Sequence, residues 1–498
     1  MFFFFESSSS SHDHKVGDIS IEMLPQSISR KSDDEDHPRT VDRTLSVDRS
    51  GTLWTASANI ITVMVGTGVL SRAWDIAQLG WIAGPAVMLL FSFVGYYTSR
   101  LLSDCYRTND PKTGNPKTGE RNSTYMDCVD SILGGAKARV CGILQNMTLF
   151  RNAIRCIVDA SVGMMAIKYM NCLHESDGEN SCYVLSNSYM IAFGITEILL
   201  SQIPDFDHIW WLSIVAAVMF GVYSLIGIGL GIAQVAASGS FKGSLKVISV
   251  GDATETQKIW NCFQALGNIA SAYSFSEILI ETQDTIGSPP SEVKTMKKAI
   301  SLSTVAMTSI YMLCGCMGYA AFGDDTPTNF LISLGFDKPF WLLDIANAAV
   351  VINLVGAYQI NSQPIFAFVE KKVGQRWPEL IAKEVKIPVP GLGQCNMKPF
   401  RLVWRTVFVI LTTVISMLFP FVFNEILDII SLGFWPLMVY FPVEMYIRQK
   451  QIPRWSTKWV SLQMLSMACL VMSIMATVGL IPGLKDDFKD NSPFGMSY

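Results

Sequence analysis

Two glycines, Gly66 and Gly68 on either side of Thr67, interrupt an apolar run that reads ITVMVGTGVLSRAWDIAQLGW. Glycine and β-branched residues are poor helix formers. If the run crosses a bilayer, a break there frees backbone groups that protein, water or a ligand must satisfy. A half-helix beginning near Gly68 would aim its first amides and the positive end of its dipole at an anion such as a carboxylate. The plain alternative is that the glycines only allow close helix packing. A second stretch, NIASAYSFSEILIETQDT, crowds Ser271, Ser274 and Ser276 round Tyr273 and Phe275 and offers another break. Ionisable side chains stand beside both. Arg72 and Asp75 are one turn apart just past the glycines, and Glu277 follows the second break. Arg151, Arg155 and Asp159 are spaced i, i+4, i+8 and share one helix face. No nucleophile motif, metal-ligand spacing, phosphate loop or cofactor signature accompanies them. The expectation is therefore no enzyme, no catalytic residue, no metal and no cofactor.

The elements that must position these residues follow from composition. Half of the 498 residues are hydrophobic and only 16% are charged. A soluble chain carries about a quarter charged residues, so the solvent here is a bilayer. A spanning helix needs about 20 mostly apolar residues. Candidate spans are 53–74, 82–103, 140–167, 189–203, 209–236, 258–280, 299–322, 340–369, 403–420, 424–447 and 458–482. The fold class expected is an all-α membrane protein with about eleven transmembrane helices. Residues 51–484 form the transmembrane domain, with polar, Gly/Pro-punctuated connections at 105–139 and 370–402. Residues 1–50 are Ser-rich and of mixed charge, and are expected to be a disordered tail. Residues 485–498 form a short C-terminal tail. The net charge of −4 gives no reason to expect nucleic acid as a partner. The lipid bilayer is the partner that composition implies, and no oligomeric state is read from the sequence.

Basic residues set the orientation. With the N-terminus in the cytosol, the inner loops hold Arg107, Lys137, Lys294, Lys297, Lys371, Arg405 and Arg448 among many others. The outer segments are acid-rich, with Glu175, Asp177, Asp324 and Asp486. The C-terminus then lies outside. Asn122, in an Asn-Ser-Thr acceptor pattern, falls in an inner loop, and Asn146, in Asn-Met-Thr, falls in a helix; both are expected unmodified. Cys172 and Cys182 flank a polar outer loop, where a disulfide between them and two free thiols are both open readings. The other cysteines lie in apolar runs and read as small hydrophobes.

In an inverted repeat of five helices plus five, the sixth helix is the counterpart of the first. Both irregular segments stand at those positions. Long stretches then resemble the plant amino acid permeases of the amino acid/auxin permease family, from about residue 50 to the end. They include GTLWTASANIIT, IAQLGWIAGPAVMLLFSF, YMIAFGITEILLSQIPDFD, YMLCGCMGYAAFGD, WLLDIANAAVVINLVGAYQ and LGFWPLMVYFPVEMYI. The resemblance implies the five-plus-five fold with broken helices 1 and 6 and an eleventh helix. It implies plasma-membrane residence and proton-coupled uptake of amino acids. It puts the substrate carboxylate on the backbone at Val65, Gly66, Thr67 and Gly68, and the second break at Tyr273, Ser274, Phe275 and Ser276.

The departures from the family pattern are specific. Arg72 and Asp75 replace leucine and alanine, Glu277 replaces an aliphatic residue, and the third helix gains Arg151, Arg155 and Asp159. A lone charge at mid-membrane costs roughly 2.5–3.5 kcal/mol, so pairing is expected, with Arg72 and Asp75 bonding across helices to Arg155 and Asp159. Asn59 and Asn353 stand where relatives often have histidine, and Asn268 where they have aspartate. Protons as the coupling ion then need other carriers, and Asp159 and Glu277 are the candidates. Two functions are carried forward. One is a secondary active amino acid transporter with a charged cavity. The other is a non-transporting amino acid sensor or scaffold derived from one.

Overall fold

The computed structural model describes residues 49, 51–65, 68–108, 120–175, 185–202, 210–244, 255–327, 339–382, 385–389, 393–420, 426–427, 429 and 433–490. The tail expected at 1–50 lies almost wholly outside them.

Helices dominate. The first expected span is split into α1 (Leu53–Val65) and the start of α2 (Gly68–Asp104). α2 then runs through the second expected span and turns sharply at Gly80, whose φ of 79° suits only glycine. The connection expected at 105–139 contains α3 (Tyr125–Leu133). Its start is set by Thr124, whose side chain accepts from the Asp127 amide. α4 (Gly135–Glu175) is the third span, and it extends well past its expected ends. α5 (Ser186–Leu200) and α6 (Trp210–Ser238) follow.

The sixth expected span is interrupted. α7 (Glu255–Ala272) stops before Tyr273, a 3-10 turn covers Ser276–Ile278, and α8 (Leu279–Asp284) resumes the course. α9 (Glu292–Phe322), α10 (Phe340–Arg376) and the short α11 (Pro378–Ala382) come next. The second polar connection is not featureless: β1 (Val385–Val389) pairs antiparallel with β2 (Gly393–Met397), Val385 opposite Met397. α12 (Pro399–Leu418) is followed by a π turn at Pro436–Tyr440, α13 (Phe441–Gln449) and α14 (Thr457–Asp490). The tail expected from 485 thus begins as helix, because extending a formed helix costs little.

Among the described residues, α2, α6, α9, α10, α12 and α14 are long and apolar enough to cross a membrane. The other five expected spans depart from that form. α1 and α5 have 13 and 15 residues, α7 is cut short by its break, and α4 carries charges along its length. The span expected at 424–447 is described only in part, as the π turn and α13. Burial is inverted relative to a soluble protein. Phe93, Leu225, Val305 and Met464 are exposed, while Asn347, Asn353, Gln359 and Ser362 are completely buried. Polar groups inside and apolar groups outside are what hydrocarbon requires. This is a multi-pass membrane protein.

The interior is organised round α10, which packs on α4 and α6, and round α2, which packs on α9 and α7. Gly95 of α2 lies against the second break, where an added Cβ would come within 3.0 Å of the Tyr273 carbonyl oxygen. That approach brings α2 onto the irregular backbone.

Candidate functional site

A helix end leaves backbone groups without intrahelical partners. In the bilayer they must be met by protein. At the end of α1, the Tyr311 hydroxyl of α9 donates to the Met64 carbonyl at 2.7 Å. Tyr311 stacks edge-on against Tyr273, with centroids 5.6 Å apart, so one tyrosine pair touches both breaks. At the second break, Gln145 of α4 donates to the Glu277 carbonyl at 2.6 Å.

Between the breaks lies a cavity of about 130 Å³. A water needs roughly 10–15 Å³ on the same measure, so the space takes a group of waters or a small zwitterion. α2 contributes Gly68 and Arg72 to its wall, and α7 and its break contribute Asn268, Ser271 and Ser274, with Glu277 just beyond. α4 contributes Thr148, Arg151, Asn152, Arg155, Cys156 and Asp159, one face of one helix. Asn361 of α10 and Gly433 complete the outline.

The structure therefore brings together most of the residues picked out by type and spacing. Five of the six extra charges line one cavity: Arg72, Arg151, Arg155, Asp159 and Glu277. Asp75, the sixth, sits just behind Arg72 with no exposed surface. Gly68 and Ser274 line the cavity too. Tyr273, Phe275 and Ser276 are buried and belong to its supporting shell. Gly66, Thr67 and the side chain of Val65 lie outside the described residues. Cys172 is disulfide-bonded, and Cys182 lies outside the described residues.

The ion pairing differs from expectation. Arg72 meets Asp75 of its own helix at 2.9 Å, with its Nε donating back to the Gly68 carbonyl at 2.6 Å. Arg155 meets Asp159 of its own helix at 3.4 Å. These pairs close within helices rather than between them. Helical side chains lean towards the N-terminus, so Arg72 folds back over the first turn of α2 and Asp75 reaches it from one turn later. Among the described residues, neutral amides make cross-helix bonds here. Asn268 of α7 donates to Asp75 at 3.0 Å, and Asn152 of α4 donates to Asn361 of α10 at 3.1 Å.

Asn361 and Thr148 were not singled out in the sequence. The signal for Thr148 was present, since it precedes Arg151 by three and Arg155 by seven, on the same face. Asn361 had no local signal, because its partner is 209 residues away. Asn353, one of the histidine replacements, is wholly buried and donates to the Ala216 carbonyl at 2.8 Å, serving to join α10 to α6.

Comparison with known proteins identifies the family. Residues 49–485 match the family model described as transmembrane amino acid transporter protein. Amino acid permease 2 of Arabidopsis thaliana is 58% identical over 490 residues, covering 97% of each chain. Amino acid permease 4 of that plant is 61% identical over 454 residues, covering 90% of this chain and 96% of the relative. Amino acid permease 3 is 60% identical over 453 residues, covering 90% and 94%. A solved Na+-coupled sialic acid symporter covers 89% of this chain with a TM-score of 0.46 and 9% identity, a likeness too slight to add to the assignment. On these matches the chain belongs to the transmembrane amino acid transporter family and is a transporter, not an enzyme.

Proposed function

We propose that this protein is a secondary active transporter that takes up amino acids across the plasma membrane, driven by protons. The observation that carries the reading is the single cavity walled by both helix breaks, with Gly68 from one and Ser274 from the other. Interrupted helices at corresponding positions of two halves mark the binding site in transporters built on inverted repeats. In that frame α1 with the start of α2 is helix 1, α7 with α8 is helix 6, and α14 is the eleventh.

The substrate carboxylate meets the first-turn amides of α2 at Gly68, where the helix dipole favours an anion. The Arg72 guanidinium, held over the Gly68 carbonyl, adds positive charge at the same place. The substrate ammonium group faces the break at Ser274, next to Glu277. Asp159 and Glu277 are the cavity carboxylates available to take a proton as substrate binds. The N-terminus faces the cytosol, so the Gly68 end of the cavity opens outward and α8 lies inward.

Radiolabelled amino acid uptake into proteoliposomes tests this directly. An inward proton gradient is expected to drive accumulation that a protonophore abolishes. Bound amino acid with no uptake under any gradient would contradict transport. Uptake that keeps its pH response in both Asp159→Asn and Glu277→Gln proteins removes those two carboxylates as carriers.

A further inference from the structure

Glu197 lies on α5, outside the cavity, and has no exposed surface. Its Oε2 accepts from Gln359 Nε2 at 2.6 Å. Its Oε1 is buried and has no hydrogen-bond partner among the described residues. None of the described ion pairs includes it. Asp75 and Asp159 differ, since each has an arginine within ion-pair reach. A bare carboxylate in a medium of low dielectric is far too costly to persist, and such a group neutralises by holding a proton.

α5 packs between α4, α10 and α12. The groups that face Glu197 are accordingly few. α4 presents the Cys156 thiol, which lines the substrate cavity. α10 presents Gln359 and the Tyr358 hydroxyl, itself bonded to Thr412 at 2.8 Å. The cation of α12, Arg405, is held on the far side of Ser201. Gln359 Nε2 also donates to Ser201 Oγ at 3.0 Å, and Arg405 donates to the Ser201 carbonyl at 2.9 Å. Arg405 then meets Glu370 at 3.0 Å, and Glu370 meets Arg401 at 2.8 Å, near the start of α12. A chain of hydrogen bonds and ion pairs therefore runs from Glu197, beside the cavity-lining Cys156, to a partly exposed arginine.

We propose that Glu197 is a proton-binding carboxylate of the transport cycle, one side chain removed from the substrate cavity. This rests on the proton-coupled reading above. The proton adds to Oε1 from hydronium, which becomes water, and leaves again to a water molecule, with no other bond made or broken; the Arg405 guanidinium has no acceptor to pass it on and responds only to the charge. While Glu197 is neutral, the Gln359 contact satisfies it. When the proton leaves, the new anion draws on Gln359 and, beyond Ser201, on Arg405. The charge of one residue of α5 is thereby felt by α10 and α12, the helices that carry those bonds.

The test uses the full chain in proteoliposomes. A single titrating group changes its protonated fraction about tenfold per pH unit above its midpoint. Wild-type uptake is expected to follow that course, and Glu197→Gln uptake is expected to change by less than about twofold over the same unit. Glu197→Gln should still exchange internal for external amino acid, and Glu197→Asp should recover a pH response. Infrared difference spectra of the wild type should contain a protonated-carboxyl band that bleaches as pH rises and is missing from Glu197→Gln. A band that persists in that variant, or one that belongs to Glu197 but responds to neither pH nor substrate, overturns the proposal. If Glu197→Gln does not fold, Glu197→Asp decides: its band should be displaced from that of the wild type, and an undisplaced band overturns the proposal. If wild-type uptake itself has no pH response while the band titrates, the coupled-uptake reading fails and the proton site at Glu197 stands.

Discussion

Ion pairs at the cavity and ion pairs at the end of the bundle where α2 stops and α9 begins are built differently. At the cavity, Arg72–Asp75 and Arg155–Asp159 close within one helix each. At the other place they cross between elements. Arg49 ties to Asp284 at 3.0 Å, Arg107 to Glu292 and Lys297 to Asp104 at 2.5 Å each, and Lys371 to Asp127 at 2.9 Å. The backbone joins in, with the Gly51 amide donating to the Thr285 carbonyl at 3.0 Å. A pair inside a helix neutralises charge without resisting movement of that helix against its neighbours. A pair between elements resists it. The cavity can therefore be highly charged without its charges bracing one helix on another, while the far end is held by contacts between elements.

The largest effect should come from splitting the Arg72–Asp75 pair. Removing one partner of a buried pair costs about 3–5 kcal/mol, whereas replacing both by apolar groups is often neutral. Asp75→Ala is expected to lower the melting temperature sharply and to stop uptake. Adding Arg72→Leu should restore most of the melting temperature but not the uptake. Equal instability of the double variant would show that the pair is bound into the helix packing after all. Glu370→Ala comes next, because it leaves buried Arg405 and its neighbour Arg401 without their shared carboxylate. A loss of about 1.5–3 kcal/mol is expected, read by the same melting assay.

Arg49→Ala should separate stability from conformation. The pair is partly exposed and is worth at most about 1 kcal/mol to folding. It is nevertheless a latch between the start of α1 and the end of α8. Maleimide labelling of Cys105, completely buried where α2 ends, is expected to rise as that end opens more often. Unchanged labelling would remove the latch from the account. Arg155→Leu should be milder still for folding, since the arginine side chain is half exposed and its pair is long. Its effect should fall on substrate, with a KM rise of about tenfold, near 1.4 kcal/mol.

The smallest effect belongs to Lys371. Burial alone would push the Asp127 carboxyl up, but hydrogen bonds from Lys371 and at Thr124 outweigh it and hold the group below its ordinary value. A depressed carboxyl stabilises the fold above its unfolded range and loses that contribution as pH falls through the folded value. Lys371→Ala should cost about 0.5 kcal/mol near neutral pH. The difference should vanish in acid, a trend that melting at two pH values would detect.

Much of the site was legible before the fold was seen. The break after Val65 was one of two readings of Gly66 and Gly68, the other being close helix packing. The break at Tyr273 could be read from its serines and from its position in the second half. That Arg151, Arg155 and Asp159 share one helix face follows from spacing alone; that this face lines the cavity needed the structure. Which charges meet was not legible, because it depends on the lean of Arg72 along its own helix and on Asn268 arriving from α7. Glu197 was passed over because one glutamate in an apolar helix shows nothing until its neighbours do. The hairpin at 385–397 and the cap at Thr124 were missed inside stretches judged only by polarity. The capping signal was in fact there, with Thr124 three residues ahead of Asp127.

The central claim is that the cavity between the two breaks holds the amino acid, and a structure with bound substrate tests it most directly. The account predicts the substrate carboxylate within hydrogen-bond distance of the first amides of α2 at Gly68, beside Arg72, with its amino group towards Ser274 and Glu277. Substrate density outside the space bounded by Gly68, Arg155 and Ser274 would contradict it.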